Sequence, residues 1–409
     1  MASHIGPRIT AWRFVTTFGV VSLLADIVYE GARSVTGPIL ALLGASALVV
    51  GIVTGVGEAA ALLLRLVAGP LTDRSRRFWA WTISGYAVTV IAVPALGLAG
   101  ALWVASALII LERVGKAIRS PAKDALLSFA TAQTGRGKGF AVHEAIDQFG
   151  AVIGPLLVAG VLAATNADYR VALGVLAVPG AAALALVFWL RSRAREPEAY
   201  ESELTSDAAS ASSSPSEDGA PRRYPAAFWV YSGFTALTMT GYATFGLLSF
   251  HMVEAGVLAV PWVPLVYAAV MLIDALVALG TGWLFDRVGP RVLLGLPVLC
   301  AAVPVLAFTE SVAGVIAGAL LWGAALGIQE STLRATIAGL VPRARRASAY
   351  GVYAAVLGVA AAIGGALAGW LYGLSIPALI VVTVAIQAAA LLALALFLRR
   401  ERRSSAAAP

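Results

Sequence analysis

An all-α membrane protein of twelve spanning helices, folded as two related six-helix halves, is the architecture this sequence predicts. Three observations predict it. The composition is 60% hydrophobic and 12% charged, with a mean hydropathy of +0.86, whereas an ordinary soluble domain carries about 25% charged residues. Apolar stretches long enough to cross a bilayer recur on both sides of a single polar break. A Gly-x-x-x-Asp-Arg frame occurs once in each half, at Gly69 to Asp73-Arg74 and at Gly282 to Asp286-Arg287.

A spanning helix needs about 20 apolar residues. The first such stretches lie near 13–43, 46–68, 78–99, 101–129, 138–163 and 170–190, and the second set near 226–252, 262–284, 292–308, 311–340, 347–372 and 376–398. The predicted organisation is an amino-terminal half (1–190), a cytoplasmic linker (191–225), a carboxy-terminal half (226–398) and a cytoplasmic tail (399–409). The linker is rich in Ser, Glu, Asp, Arg and Pro, cannot bury enough apolar surface to fold, and is expected to be disordered.

Orientation follows from the basic loops, which stay in the cytoplasm. With the amino terminus inside, Arg74, Arg76 and Arg77, Arg136 and Lys138, Arg287 and Arg291, and the tail arginines all fall on one side, while Arg170 falls on the other. The expected location is therefore the plasma membrane, multi-pass, with both termini cytoplasmic. The formal charge of +7 is spread over every second loop, unlike the clustered face of a nucleic-acid binder, so no nucleic-acid partner is expected.

Catalytic chemistry finds no foothold. The lone Cys300 excludes an internal disulfide, and His4, His143 and His251 have no metal-ligand spacing. Neither a Gly-x-Ser-x-Gly elbow nor a phosphate-cradling Gly-x-x-x-x-Gly-Lys motif occurs. No enzyme activity, metal or cofactor is expected, and no removable signal peptide is read at the amino terminus.

Charges inside membrane spans are costly and face a water-filled pathway or a partner. The first span carries Asp26, Glu30 and Arg33 on one face, with Tyr29 one turn before Arg33. Asp26 lies roughly 20 Å along the helix from Arg13, near mid-membrane. Glu58 in the second span joins the cavity candidates. In the fourth span Glu112, Lys116, Arg119 and Lys123 form one stripe with Arg113 beside it, and Glu112 and Lys116 reach roughly the depth of Asp26. Pro121 is expected to bend the cytoplasmic end of that helix, where Arg119 to Asp124 would reach Asp147 or the Asp73 frame. The fifth span aligns His143, Asp147, Gly150 and Gly154. The second half is sparser, offering Tyr242 in the seventh span and a Glu330–Arg334 pair one turn apart in the tenth.

Together, the six plus six spans, the polar central linker and the two Gly-x-x-x-Asp-Arg frames resemble the major facilitator superfamily. The first frame continues Ser75-Arg76-Arg77, similar to the family's Gly-x-Leu-x-Asp-Arg-x-Gly-Arg-Arg pattern without its later Gly, and the second keeps that Gly as Gly289. The resemblance implies a conformational latch of Gly69, Asp73, Arg74, Arg77, Gly282, Asp286 and Arg287, which holds the outward-facing state, with Arg119 and Asp147 as associated gate residues. Arg113 partly matches an Arg-centred motif of the fourth span. Gly150-x-x-x-Gly154-Pro155 resembles the family's antiporter signature.

These features predict a proton-coupled secondary transporter that exports small organic compounds by alternating access. Asp26, Glu30 and Glu112 are the proton-coupling candidates, because a buried carboxylate changes its proton affinity when its basic neighbours move. Tyr29, Arg33, Glu58, Arg113, Lys116, Tyr242, Glu330 and Arg334 are the cavity candidates. Two alternatives stand: an organic-anion uptake or exchange transporter with a cationic cavity, and a non-transporting membrane receptor on the same scaffold. The expected partners are a small-molecule substrate, protons and the lipid bilayer, with the chain acting as a monomer.

Overall fold

Phe14, Phe18, Trp79 and Tyr200 meet edge to face around the end of the first helix, and that aromatic knot organises the first of two compact units. The computed structural model describes residues 9–196, 198–200, 224–341 and 345–406; the side chains of Arg136, Arg334, Ala335, Ala338, Ala347 and 400–406 lie outside that description. The described elements are helical. The first span consists of α1 (Ala11–Ser34) and α2 (Thr36–Leu42), and the second of α3 (Ala47–Leu63) and α4 (Arg65–Ser75). Then follow α5 (Phe78–Gly97), α6 (Leu102–Thr134), α7 (Arg136–Ala164), and the pair α8 (Tyr169–Val175) and α9 (Ala177–Arg193). The seventh span is α10 (Ala226–Thr240) with α11 (Phe245–Glu254). The last five spans are α12 (Trp262–Val288), α13 (Gly295–Ala307) after a 3₁₀ turn, α14 (Val312–Leu340), α15 (Arg346–Leu374) and α16 (Ile376–Ala406).

Length and apolarity alone pick out nine membrane-crossing stretches among the described residues. Twelve spans follow from three physical adjustments. The 262–307 stretch is two helices, because Gly289 has φ +63°, a conformation that ends an α-helix. α6 carries too many charges to qualify by apolarity. α10 and α11 are separated at Gly241 to Thr244, where Thr244 accepts the Leu247 N–H and starts the second piece. A similar break between α1 and α2 has a local cause: Pro38 has no N–H to offer the Ser34 carbonyl. Pro121 leaves α6 uninterrupted.

The first unit comprises residues 1–33, 64–99 and 107–216. Its core includes Phe14, Phe18, Trp79, Tyr86, Leu126, Leu190 and Tyr200. In lipid, helices associate through close packing of small residues, and this unit uses two such seams. A Cβ at Gly85 would fall 2.6 Å from the Arg119 Cβ, seating α5 against α6. A Cβ at Gly150 would overlap the Leu23 carbonyl, and one at Gly154 would lie 2.5 Å from the Ile27 carbonyl, seating α7 against α1. The segment expected to be a linker from residue 191 begins packed. The Trp79 indole donates to the Ala194 carbonyl at 3.1 Å, and the buried Tyr200 hydroxyl donates to the Ile9 carbonyl at 2.8 Å. Residues 201–223, the bulk of that expected linker, lie outside the described residues.

The second unit comprises residues 34–63, 100–106 and 217–409. It therefore includes α2 and α3, which the sequence reading placed in the amino-terminal half. The packing reason is a continuous glycine seam. A Cβ at Gly51 would overlap the Gly365 carbonyl, one at Gly369 would overlap the Ala47 carbonyl, and one at Gly55 would lie 2.8 Å from the Ala361 carbonyl. α3 lies along α15 and α2 against α11, with Thr54 and Thr244 hydroxyls 2.7 Å apart. α12 and α14 meet where Gly323 and Gly327 face the Val270 and Asp274 carbonyls. α16 continues helically to Ala406, through the beginning of the expected tail.

Candidate functional site

The first unit buries a charged cluster at the junction of α1, α5, α6 and α7. Helical periodicity places Asp26 and Tyr29 on the face of α1 that meets α6, and Lys116 and Arg119 on the facing side of α6. The Tyr29 hydroxyl donates to the Asp26 carboxylate at 3.2 Å, and the Lys116 ammonium donates to the same hydroxyl at 3.1 Å. Lys116 Nζ also stands 4.2 Å from the Tyr29 ring centre. Arg119 is held between two aromatic faces, 5.5 Å from Tyr29 and 4.8 Å from Tyr86, while its guanidinium donates to Thr89 Oγ1 at 3.0 Å. A cation over a ring gains about 0.5–2 kcal/mol, more as water is excluded. These tyrosines thus shelter the buried Arg119 and the half-buried Lys116, neither of which makes a salt bridge to a carboxylate among the described residues.

Two further carboxylates bracket the cluster with their own cations. Glu30 accepts from Arg33 at 3.5 Å, one turn away on α1, and Glu112 forms a salt bridge with its neighbour Arg113 at 3.3 Å on α6. The second Glu112 oxygen is buried without a hydrogen-bond partner among the described residues. Asp147 lies on α7, one turn before Gly150. One Asp147 oxygen is likewise buried and unpartnered. Gly150 and Gly154 make this arrangement possible: a side chain at either would push α7 away from the α1 backbone that carries Asp26.

The structure also recruits residues that sequence reasoning did not select. Ser22 Oγ lies 3.0 Å from His143 Nε2 and 3.5 Å from the Tyr86 hydroxyl, forming a buried polar chain between α1, α5 and α7. Thr89 and Tyr86 hold Arg119. The available signal was a polar stripe, Thr82, Tyr86 and Thr89, at helical spacing in an otherwise apolar third span.

Other predicted residues stand apart from this cluster. Asp73, Arg74 and Arg77 are exposed at and just beyond the end of α4, where Arg76 closes the helix in the left-handed region. No atom lies within 4 Å of a Cβ built on Gly69. Asp286 is exposed, Arg287 packs 3.4 Å over the Trp283 ring, and Gly282 meets only Ser331, at 3.9 Å. Glu58 is half-buried on α3 and Glu330 is exposed on α14. The Arg334 side chain lies outside the described residues, so its expected pairing with Glu330 lies there too.

In the second unit Tyr242 stacks on Trp322 with ring centres 5.3 Å apart and donates to the Trp322 carbonyl at 2.9 Å. The Trp322 indole returns a bond to Ala243 at 2.7 Å, and Phe245 and Tyr267 complete the aromatic group. His251 bridges the Tyr372 hydroxyl at 2.8 Å and the Thr309 carbonyl at 3.1 Å.

A multi-span helical protein with charges buried among its spans defines a class, the secondary membrane transporters, and comparison with known proteins agrees. The family model described as Major Facilitator Superfamily matches residues 22–309 and 263–409, and the chain belongs to that family. It is 63% identical over 394 residues to the uncharacterized protein Rv2265 of Mycobacterium tuberculosis, covering 95% of this chain and 94% of that one. Among solved structures, the peptide transporter POT in complex with sulfate superposes with a TM-score of 0.72 at 14% identity, covering 96% of this chain and 94% of that one. The nucleoside transporter NupG does so with a TM-score of 0.69 at 12% identity, covering 94% and 98%. These structural likenesses carry the fold, a twelve-helix all-α membrane protein, while the family match is to a family of transport proteins.

Proposed function

We propose that the protein is a proton-coupled transporter that exports small organic compounds from the cytoplasm across the plasma membrane, with both termini cytoplasmic and one chain as the working unit. The observation that carries the reading is the Asp26–Tyr29–Lys116 chain. A carboxylate held at mid-membrane by a movable hydroxyl and a cation can take a proton when that contact breaks. Asp26 is the primary coupling group, with Glu30 and Glu112 as the other candidates. Gly150 and Gly154 support antiport, because they bring α7 against the α1 backbone that carries Asp26, and Pro155 completes the antiporter-like signature. Tyr29, Arg33, Glu58, Arg113, Lys116, Tyr242, Glu330 and Arg334 are assigned to the substrate pathway. Nucleoside and peptide transporters share the fold, which supports an organic solute as cargo.

In this reading, transport is alternating access by movement of two six-helix halves, 1–190 and 226–398, about a midplane site. The seam of α2 and α3 on α11 and α15 is the engaged outer gate. Asp73, Arg74, Arg77, Asp286 and Arg287 are assigned to the inner latch, with Arg119 and Asp147 as gate residues.

A second reading has its own observation. Lys116 and Arg119 rest on tyrosines and a threonine and make no salt bridge to a carboxylate among the described residues. Such cations suit an organic anion, taken up or exchanged. One experiment separates the readings: internal pH is followed in proteoliposomes while organic cations, anions and neutral compounds are added in turn. Proton movement tied to a cation or neutral compound, and lost in Asp26→Asn, supports export by antiport. Anion flux without proton movement moves the assignment to exchange, and absence of any flux across the panel sinks both.

A further inference from the structure

A groove remote from the buried cluster has a chemistry that transport leaves unexplained. It has a volume of about 740 Å³ and is lined by Arg76, Arg77, Arg191 and Arg195, with Phe78, Trp79 and Phe188 as its apolar wall and Ser192 and Glu198 at its margin. Four guanidinium groups face a single carboxylate. Ordinary topology-setting arginines need no enclosure, since they act by remaining on one side of the membrane. Here four exposed arginines line one groove beside fixed aromatic rings. Ala194 is fastened to α5 by the Trp79 bond, and Tyr200 to the start of the chain by its bond to Ile9. Arg195 thus lines the same groove as Arg76 and Arg77, which are presented by the sharp turn between α4 and α5.

We propose that this groove is a binding site for a phosphate ester, with the guanidinium groups on the phosphate oxygens and the aromatic wall against the attached carbon skeleton. Planar guanidinium forks match phosphate oxygens two at a time. Basic pockets between spans on the cytoplasmic side are suited to anionic lipid headgroups. The exposed Phe188 ring lies where an acyl or glycerol segment would continue. The ligand can be an anionic phospholipid of the inner leaflet or a soluble phosphate ester, and the two differ in whether the tail is required.

The test is native mass spectrometry of the full chain, purified in neutral detergent and delipidated. The protein is titrated with phosphatidylglycerol and phosphatidylcholine, and then with inorganic phosphate as competitor. The proposal expects the phosphatidylglycerol adduct to be at least tenfold tighter than the phosphatidylcholine adduct, and to weaken at least tenfold in Arg76→Gln/Arg191→Gln/Arg195→Gln. A charge-matched control, Arg291→Gln/Arg346→Gln/Arg399→Gln, should leave it unchanged. Displacement by inorganic phosphate at comparable concentration assigns the site to soluble phosphate, and resistance to it assigns the site to lipid. Equal binding of the two lipids with no phosphate effect, equal retention in the triple variant, or an equal loss in the control overturns the site. Should the triple variant fail to fold, each single substitution is expected to weaken binding at least threefold, and the site is refuted if none does.

Discussion

Lys116 on α6 donates to the Tyr29 hydroxyl on α1 at 3.1 Å while standing 4.2 Å from the centre of the same ring. One side chain thus binds the cation in two ways and passes its hydroxyl hydrogen to Asp26 at 3.2 Å. The tyrosine is the bridge of the cluster, because its hydroxyl bonds both the half-buried cation and the buried carboxylate.

Tyr29→Phe keeps the ring and deletes the hydroxyl. Leaving a buried charged partner unsatisfied costs about 1–3 kcal/mol, so substrate flux in proteoliposomes should fall roughly tenfold or more by the rate equivalence of that energy. Tyr29→Leu, which also removes the ring, should fall further. Equal and near-normal flux in both variants would show that the bridge has no part in transport.

Asp26→Asn fixes a neutral side chain of the same shape at the proposed proton carrier. Transport driven by an imposed pH gradient should drop to the level seen without a gradient at every pH tested, while exchange of labelled for unlabelled substrate persists. If gradient-driven flux survives in Asp26→Asn and falls in Glu30→Gln or Glu112→Gln, the coupling role belongs to the affected residue.

Gly154→Ala and Gly160→Ala make the same chemical change in one helix. A Cβ at Gly154 would lie 2.5 Å from the Ile27 carbonyl, while one at Gly160 meets nothing within 4 Å. Overpacking typically costs about 1–3 kcal/mol, so Gly154→Ala should lower the melting temperature of the detergent-solubilised protein, and Gly160→Ala should leave it unchanged or slightly raised. The same change in both variants would show that the α1–α7 seam does not control stability at this site.

Thr54 and Thr244 bring their hydroxyls to 2.7 Å where α3 meets the start of α11. In a Cys300→Ala background, Thr54→Cys/Thr244→Cys should form a disulfide on mild oxidation. Transport should then fall to background and return on reduction, because the proposed outer gate can no longer part. Full activity of the oxidised, cross-linked protein would remove this seam from the transport cycle.

Asp73 is exposed and makes no hydrogen bond or ion pair among the described residues. Asp73→Asn should therefore change the stability of this conformation by no more than about 0.5 kcal/mol, yet lower flux severalfold by weakening the opposite state. A large loss of thermal stability would place Asp73 in a structural contact instead.

Much of this architecture was legible because a bilayer imposes a length and an apolarity on every span. The frames of Asp73 and Asp286 were expected at helix ends and lie in the last turns of α4 and α12. Rise per residue put Asp26 and Lys116 at one depth, and the two share Tyr29 as a partner. The linker was read less well. Its polar composition gave no sign that Tyr200 would bury against Phe14, since a single aromatic in a charged segment counts only once its receiving pocket exists. Ser22, Tyr86 and Thr89 were passed over for a similar reason, and His143 was placed on its helix face without its partner, as hydroxyls and a lone imidazole become a network only when three helices converge.

What the sequence determined by itself was the solvent this chain folds in, the number of its spans, the places where charge enters them and the family to which it belongs. All of these depend on composition and on the period of one helix at a time. Only the tertiary structure decided that Arg119 rests between Tyr29 and Tyr86, that Gly150 and Gly154 set the distance from α7 to Asp26, and that α2 and α3 pack with the helices of the later half. A helical period tells which residues share a face of their own helix. Which neighbouring face it meets depends on where small residues let two backbones close, and that is settled only by packing all the helices together.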